Sequence, residues 1–448
     1  MDKTWQKIQD NIIKEGLSSH TGLEVGLSRG QLRLKNPPHD LTPQPTVPEE
    51  QLNLDPAIWE ALPDRGLPYP NLNTFIFGKH PSSWLTGEFK QAYVGYALDD
   101  SVRIEAASGG VLTQTLLYLL QTKRITGAVV LRLRKDIPYL VEPIIARSRE
   151  EILSSAGSIY TESAPLTILE KLRKEEGPLA FVGLPDQVAA IRMLQKLNHS
   201  SVRSIKYILG PYTGTVMRFG ALNSYLRANN ATLGQVTSLS YRAGEWPGYL
   251  EIRLRGGKIL RAEKFYYNYL IPFFITKRSS RLAVDFTNEL TDISVGDAWA
   301  PEYEKKRGGY SVILARSTIG KSLLEEMEQH NLVKLTPVTY EKVVSMHSHM
   351  IDFKKRGSFI RMQWRRFLGK QNPTFGYEPN HIPLSRYIVE FIISGLFVVG
   401  STRIAHILIE HIPLTIIGPI FNGLRITWKR FSSGQKRAGL KTTTFRLT

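Results

Sequence analysis

From about Gln91 to Gln329 the chain alternates short, continuous apolar runs with stretches of helical periodicity, and this alternation limits the folds open to it more than any other feature. AYVGYAL, ITGAVVLRLR, LAFVGLP and SIKYILG read as buried strands. Between them, Gly110–Thr122 reads as a buried helix and SREEILSSAGSIY as a short helix ending at Gly157. LTILEKLRKEEG reads as an amphipathic helix closed by Gly177, and DQVAAIRMLQKLN as a further helix. Strands that are apolar throughout belong to a sheet covered on both faces, so the pattern points to an α/β fold. VTSLSYR, YLEIRLR and KILRAEKFYY then alternate apolar and polar residues around turns at GEWPG and GG, the signature of strand pairs. DISVGDAW and SVILARS read as two more buried strands, and GKSLLEEMEQ as a helix.

The flanks differ from this middle. Residues 1–90 are loop-rich, and the prolines between Asn36 and Pro70 predict irregular structure with a short helix near Ile58–Leu62. After residue 340, Lys354, Lys355, Arg356, Arg361, Arg365, Arg366 and Lys370 form a basic run with interleaved Phe353, Phe359, Trp364 and Phe367. Leu384–Phe421 is strongly apolar. The expected divisions are a segment over 1–90, a core in two parts over 91–172 and 173–340, and an appendage over 341–448.

Several turns have the chemistry of a cofactor rim. In AASGGVLTQTLLYLL, Ser108, Gly109 and Gly110 precede a helix carrying Thr113. Glycines let the backbone approach a ligand, and helix N-terminal N–H groups favour a phosphate. A serine-capped strand–helix turn accounts for the same residues. AGSIY, with Gly157, Ser158 and Tyr160, and VGLPDQ, with Gly183, Pro185 and Gln187, end or flank apolar segments where an open α/β sheet binds ligands. Asp297 lies at the end of a strand, placed to meet a ribose, a substrate or a cation, or to cap a loop. The ten histidines include H-S-H at 347–349 but no HExxH, and no metal site is expected.

In order along the chain, VGYALDDSVRIEAASGGVLT, EEILSSAGSIY, VGLPDQVAAIR, ILGPYTG, RAGEWPG, DFTNELTDISVGDAW and GGYSVILARSTIG resemble the coenzyme F420 hydrogenase/dehydrogenase beta-subunit family over roughly residues 12–335. The resemblance implies a mixed-sheet, flavoprotein-like α/β core that binds FAD, a ferredoxin-like N-terminal segment, here degenerate, and a helical C-terminal appendage. It also implies iron–sulfur clusters, and there this chain departs from the family. It contains no cysteine, which removes disulfides, thiol catalysis and thiolate-bound metal alike. The family's cysteine positions fall on Asp186, Tyr212, Ser280 and Ala283, and on or near Ser18, Thr21 and Glu24. The resemblance therefore implies a flavin-dependent oxidoreductase without iron–sulfur clusters. The alternative is a non-redox descendant that keeps the pocket for another anionic ligand, acting in cell-surface polysaccharide biosynthesis or as a subunit of a larger complex.

Net charge is +18, which attracts anionic partners. The basic aromatic run could contact single-stranded nucleic acid, lie as a solvated helix on the core, or face a membrane. The apolar stretch beside it favours an anionic membrane surface, and nucleic acid is not the expected partner. A buried hairpin at a protein interface is the alternative for that stretch. The polar N-terminal MDKTWQKIQDNIIKEG lacks the apolar region of a secretory signal. The expected location is cytoplasmic, peripheral at the inner face of the membrane, with a redox or complex subunit as a further partner.

Overall fold

The computed structural model describes residues 2–263, 270–306 and 308–448. Its strands in chain order are β1 (Leu32–Asn36), β2 (Asp40–Pro45), β3 (Gln91–Ala97), β4 (Gly127–Leu133), β5 (Val141–Ala146), β6 (Leu179–Val182), β7 (Ile205–Pro211) and β8 (Val236–Ala243). They continue as β9 (Tyr249–Leu254), β10 (Ile259–Glu263), β11 (Ile293–Asp297), β12 (Ser311–Ala315), β13 (Val333–Pro337), β14 (Tyr377–Pro379) and β15 (Phe445–Leu447). Eight of them form one mixed sheet in the order β13-β3-β12-β11-β7-β6-β4-β5. β11, β7, β6 and β4 are mutually parallel, β3 runs in their direction, and β12, β13 and β5 oppose them.

Strand alternation sends neighbouring residues to opposite faces, and here both faces are covered. Leu179, Phe181 and Ile208 join one core with the helix α2 (Pro185–Lys196) and with Trp5, Ile8, Ile12, Leu17 and Leu23 of the N-terminal segment. Ala180, Leu209, Ile293 and Ile313 join a second core with α1 (Val111–Gln121) and α3 (Thr318–Gln329). Residues before β3 are thus more ordered than their prolines imply: they add the β1–β2 hairpin and the helix Tyr69–Phe77, beside the expected short helix at Ala57–Ala61.

Two expectations change. LTILEKLRKEEG is helical only as a tight turn over Pro165–Ile168 and one α turn over Leu169–Leu172. The chain then bends onto the sheet edge at Gly177, where a Cβ would lie 2.4 Å from the Thr126 hydroxyl. In KILRAEKFYY the strand covers Ile259–Glu263, and Lys264–Tyr267 lie outside the described residues.

The basic run is the larger correction. α4 (Tyr340–Asp352) passes through a wide π turn, Phe353–Gly357, into α5 (Ser358–Phe367). Lys354, Lys355, Arg356 and Arg361 on this stretch are buried, so they present no surface to nucleic acid, solvent or lipid; Arg366 and Lys370 are exposed. The partners come from α6 (Leu384–Gly400) and the core. Asp352 accepts from Arg356 at 2.7 Å and from Arg386 at 2.7 Å. Glu390 accepts from Arg386 at 2.7 Å and from Arg361. Lys355 pairs with Glu289 and donates to the Tyr377 hydroxyl at 2.6 Å. Arg356 also donates to the Lys436 and Ala438 carbonyls at 2.7 and 2.8 Å, closing the C-terminal end of α8 (Leu414–Arg437). Gly357 makes room for this junction: a Cβ there would come within 2.8 Å of Arg386 Nη2 and Glu390 Oε2. A short helix, α7 (Arg403–His411), connects α6 to α8.

Removing one partner of a buried pair leaves the other charge desolvated, at a cost of about 3–5 kcal/mol. Asp352→Ala leaves Arg356 without its carboxylate and Arg386 with Glu390 as its remaining one. Urea unfolding is expected to show a loss of that size; a change within about 0.5 kcal/mol, the usual range for surface substitutions, would contradict the junction's role.

Candidate functional site

A cleft of about 830 Å³ opens along one edge of the sheet. Ligand pockets commonly measure about 300–1,000 Å³. Its floor is the carboxyl end of β4, Leu131–Leu133, and the turn after β3 that carries Ser108. One wall is the segment Ser154–Ile159, and the facing wall is β8 with the turn that follows, Leu239–Trp246. Ligands in open α/β sheets bind at this end of the strands.

Local chemistry explains the turn after β3. Asp99 caps the helix Asp100–Glu105, accepting from Ser101 N at 2.9 Å, and is held by Arg149 at 2.8 Å. Ser108 Oγ donates to the Tyr310 carbonyl at 2.8 Å, and Gly109 N–H donates to Ser311 Oγ at 3.0 Å. A Cβ at Gly109 would come within 2.6 Å of the Gly95 carbonyl, so glycine here serves the approach to β3 and β12. Gly110 takes φ of +76° at the start of α1, and Thr113 follows on that helix; neither they nor Gly109 line the cleft.

Of the other residues singled out by sequence, Gly157 and Ser158 join Ser108 in the lining. Tyr160 is half-buried behind this wall, its ring edge-on to Tyr241 at 5.7 Å. Asp297, at the end of β11, holds the opposite wall: it accepts from Arg242 at 3.1 Å and from Trp246 Nε1 at 2.8 Å. Gly183, Pro185 and Gln187 lie elsewhere, at the end of β6, where they shape the start of α2. The Gly183 carbonyl accepts from Asn288 at 2.8 Å, and Gln187 accepts from Leu184 N at 2.9 Å.

Sequence reasoning missed the cleft's cations. Arg103, Arg132 and Arg242 line it together with the acids Asp100, Glu105 and Glu245, and Tyr241 and Trp246 supply aromatic surfaces. Arg103 lies 4.0 Å from the Tyr96 ring centre and donates to the Gly308 and Gly309 carbonyls, at 2.6 and 2.9 Å. Arg132 pairs with Glu142 across β4 and β5 at 2.8 Å. Guanidinium groups, serine hydroxyls and flat aromatic rings are donors and faces suited to phosphate and to a fused ring system.

The positions matched to cluster cysteines do not fit a thiolate-ligated cluster. Tyr212 is half-buried and edge-on to His347 at 5.3 Å, Ala283 has no donor, and Ser280 is tied to Val216. Lys354 donates into this region, to the Ser279 and Ser280 carbonyls at 2.7 and 3.2 Å. Asp186 lines a void of about 10 Å³ with Tyr69 and Arg278, room for about one water. His347 is held neutral, its pKa pulled down to about 4 by burial. Among the described residues no group of three or more His, Asp or Glu side chains could hold a metal ion.

The fold and site define a mixed α/β domain with a hydroxyl-rich cleft at its strand ends, lined by three arginines and three acids. Comparison with known proteins places it: residues 92–170 match the N-terminal region, and residues 177–341 the C-terminal region, of the coenzyme F420 hydrogenase/dehydrogenase beta subunit. The chain belongs to that family. It is 24% identical over 290 residues to the coenzyme F420-dependent sulfite reductase of Methanocaldococcus jannaschii, a match covering 60% of this chain and 42% of that protein. It is 24% identical over 263 residues to the coenzyme F420 hydrogenase subunit beta of Methanothermobacter thermautotrophicus, covering 56% of this chain and 86% of that one. A chain from the F420-reducing NiFe hydrogenase complex of Methanosarcina barkeri shares the fold, with a TM-score of 0.51, 17% identity, and coverage of 64% of this chain and 97% of that one.

Glu24 and Asp64 are both buried, and burial, with repulsion from Asp64 at Glu24 and from Asp186 at Asp64, raises both above the usual carboxylate range. Burial pulls His20 down, but its 2.8 Å bond to Glu162 and nearby acids outweigh this and raise it. The native state therefore keeps protons that the unfolded chain releases. The stability these groups contribute is complete below their unfolded pKa values, about 4.3 for the glutamate, and is lost as pH rises through the raised native values towards neutrality. Urea midpoints are expected to fall between about pH 5 and pH 7, and to fall less in Glu24→Gln. Equal falls in the two proteins would contradict this assignment.

Proposed function

We propose that the cleft holds FAD and that the chain is a flavin-dependent oxidoreductase working without iron–sulfur clusters of its own. The observation that carries this reading is the lining: Arg103, Arg132 and Arg242 with Ser158 for a pyrophosphate, and Trp246 and Tyr241 as faces for a ring, in a family whose relatives are named for the deazaflavin coenzyme F420. Flavin supplies two-electron hydride chemistry, which needs no cluster. The protein's part is to bind and orient. Asp297 fixes Arg242 and Trp246 in one wall, and the Tyr310 carbonyl fixes the Ser108 hydroxyl in the floor. Electron exchange with a partner subunit belongs to the same proposal, supported by the structural relative's origin in a multi-subunit hydrogenase complex.

The test is fluorescence titration of the purified full chain with FAD. Ser158→Asp sets a negative charge against the phosphates at a site that buries no core side chain. It is expected to weaken FAD at least about tenfold, or about 1.4 kcal/mol, with an unchanged melting temperature. A wild-type protein that neither carries nor takes up FAD would contradict the reading and favour a non-redox descendant whose cleft binds another anion.

A further inference from the structure

α6 has its polarity turned inside out. Its two charged residues, Arg386 and Glu390, are both buried in the ionic junction. Every exposed position on the helix is apolar or glycine, from Leu384 and Ile388 through Phe391 and Leu396 to Val398 and Val399. A helix facing water shows the reverse arrangement. α6 is not simply loosely packed: Asp352 and Arg361 tie its inner face to the core, and Val389, Ile393 and Phe397 pack there.

The exposed apolar surface continues on the next two helices. Ile404, Ile407 and Leu408 are exposed on α7, and Ile416, Ile420 and Leu424 on α8, while Ile409 and Ile417 on their inner sides join the core beneath β8–β10. The charge here has one sign. No acid follows Glu410, which is itself paired with Arg227 at 2.8 Å, and Lys429 and Arg430 are exposed on the second half of α8. Apolar surface contiguous with cations and free of acids complements an anionic lipid headgroup layer.

Among the described residues no single helix is long and apolar enough to cross a bilayer; α6 and α7 reach that length only as a pair bent by 75°. Seventeen residues of helix span about 26 Å, short of the ~30 Å hydrocarbon core. From these observations we propose that the outer face of α6, α7 and α8 seats in the surface of an anionic phospholipid bilayer, lying within the interface and not spanning it. This stands independently of what the cleft binds. The buried cations at 354–361 take no part, so attraction that salt can screen rests on α8 and its neighbours, and the apolar face supplies the part that salt leaves intact.

The test is co-flotation of the full chain with two kinds of vesicle, pure phosphatidylcholine and phosphatidylcholine containing phosphatidylglycerol. The wild type is expected to float with the anionic vesicles, less at high salt but still measurably. Phe391→Asp with Val398→Asp changes only exposed side chains, and is expected to cut partitioning more than tenfold while leaving the melting temperature unchanged. Lys429→Glu with Arg430→Glu is expected to lower it at least about twenty-five-fold at low salt, from about fivefold per cation lost, with little effect at high salt. Failure of the wild type to float with either vesicle would overturn the proposal, as would an Asp variant that floats like the wild type. A wild type that stays off vesicles but self-associates, with the Asp variant dispersing it, would assign the face to a second copy of the chain.

Discussion

The buried ionic junction around Asp352 and Glu390 is the interaction on which the rest of the C-terminal half depends. Three guanidinium groups share two carboxylates there, all nearly or fully removed from solvent. Charges brought out of water carry a desolvation cost that only close partners offset. That requirement fixes the rotation of α6 about its axis: Arg386 and Glu390 must face inward, so Phe391 and Val398 must face outward. Arg356 carries the same constraint to the end of α8 through two backbone carbonyls. Lys355 carries it the other way, to Glu289. Asp285 accepts from the Asn288 and Glu289 backbone N–H groups, and Asn288 in turn bonds the carbonyls of Gly183 and Pro211 at the strand ends. One network therefore links the outer helices to the carboxyl edge of the sheet.

The strands of the sheet were legible because burial on both faces leaves no polar alternation, so AYVGYAL or LAFVGLP stands out as a continuous apolar run. α1, α2 and α3 were legible from periodicity and caps. The basic run was not. Lys355 and Glu289 are 66 residues apart, and Arg361 and Glu390 are 29 apart, and no local pattern reveals that such charges will be paired and buried. Ser108, Gly157 and Ser158 in the cleft could be read from turn chemistry, which is local. Arg103, Arg132 and Arg242 could not, because they come from a short helix and two strands that meet only in the folded chain. Gly109 shows the converse: a glycine that reads as room for a ligand is required by the Gly95 carbonyl of β3.

The cleft offers cations, hydroxyl groups and aromatic faces, but the cluster positions are filled by groups of another kind. Ser280 is hydrogen-bonded to Val216, and Tyr212 packs among aromatic rings. The chain keeps the family's sheet but carries no cysteine, so it offers no thiolate to ligate a cluster.

The most direct test of this account is a crystal structure of the full chain grown with FAD. The account predicts the dinucleotide in the cleft, its pyrophosphate beside Ser158 and the arginines, and its ring system against the Trp246 wall. An empty cleft in crystals saturated with FAD, or FAD bound instead at the Gly183–Gln187 end of β6, would contradict it.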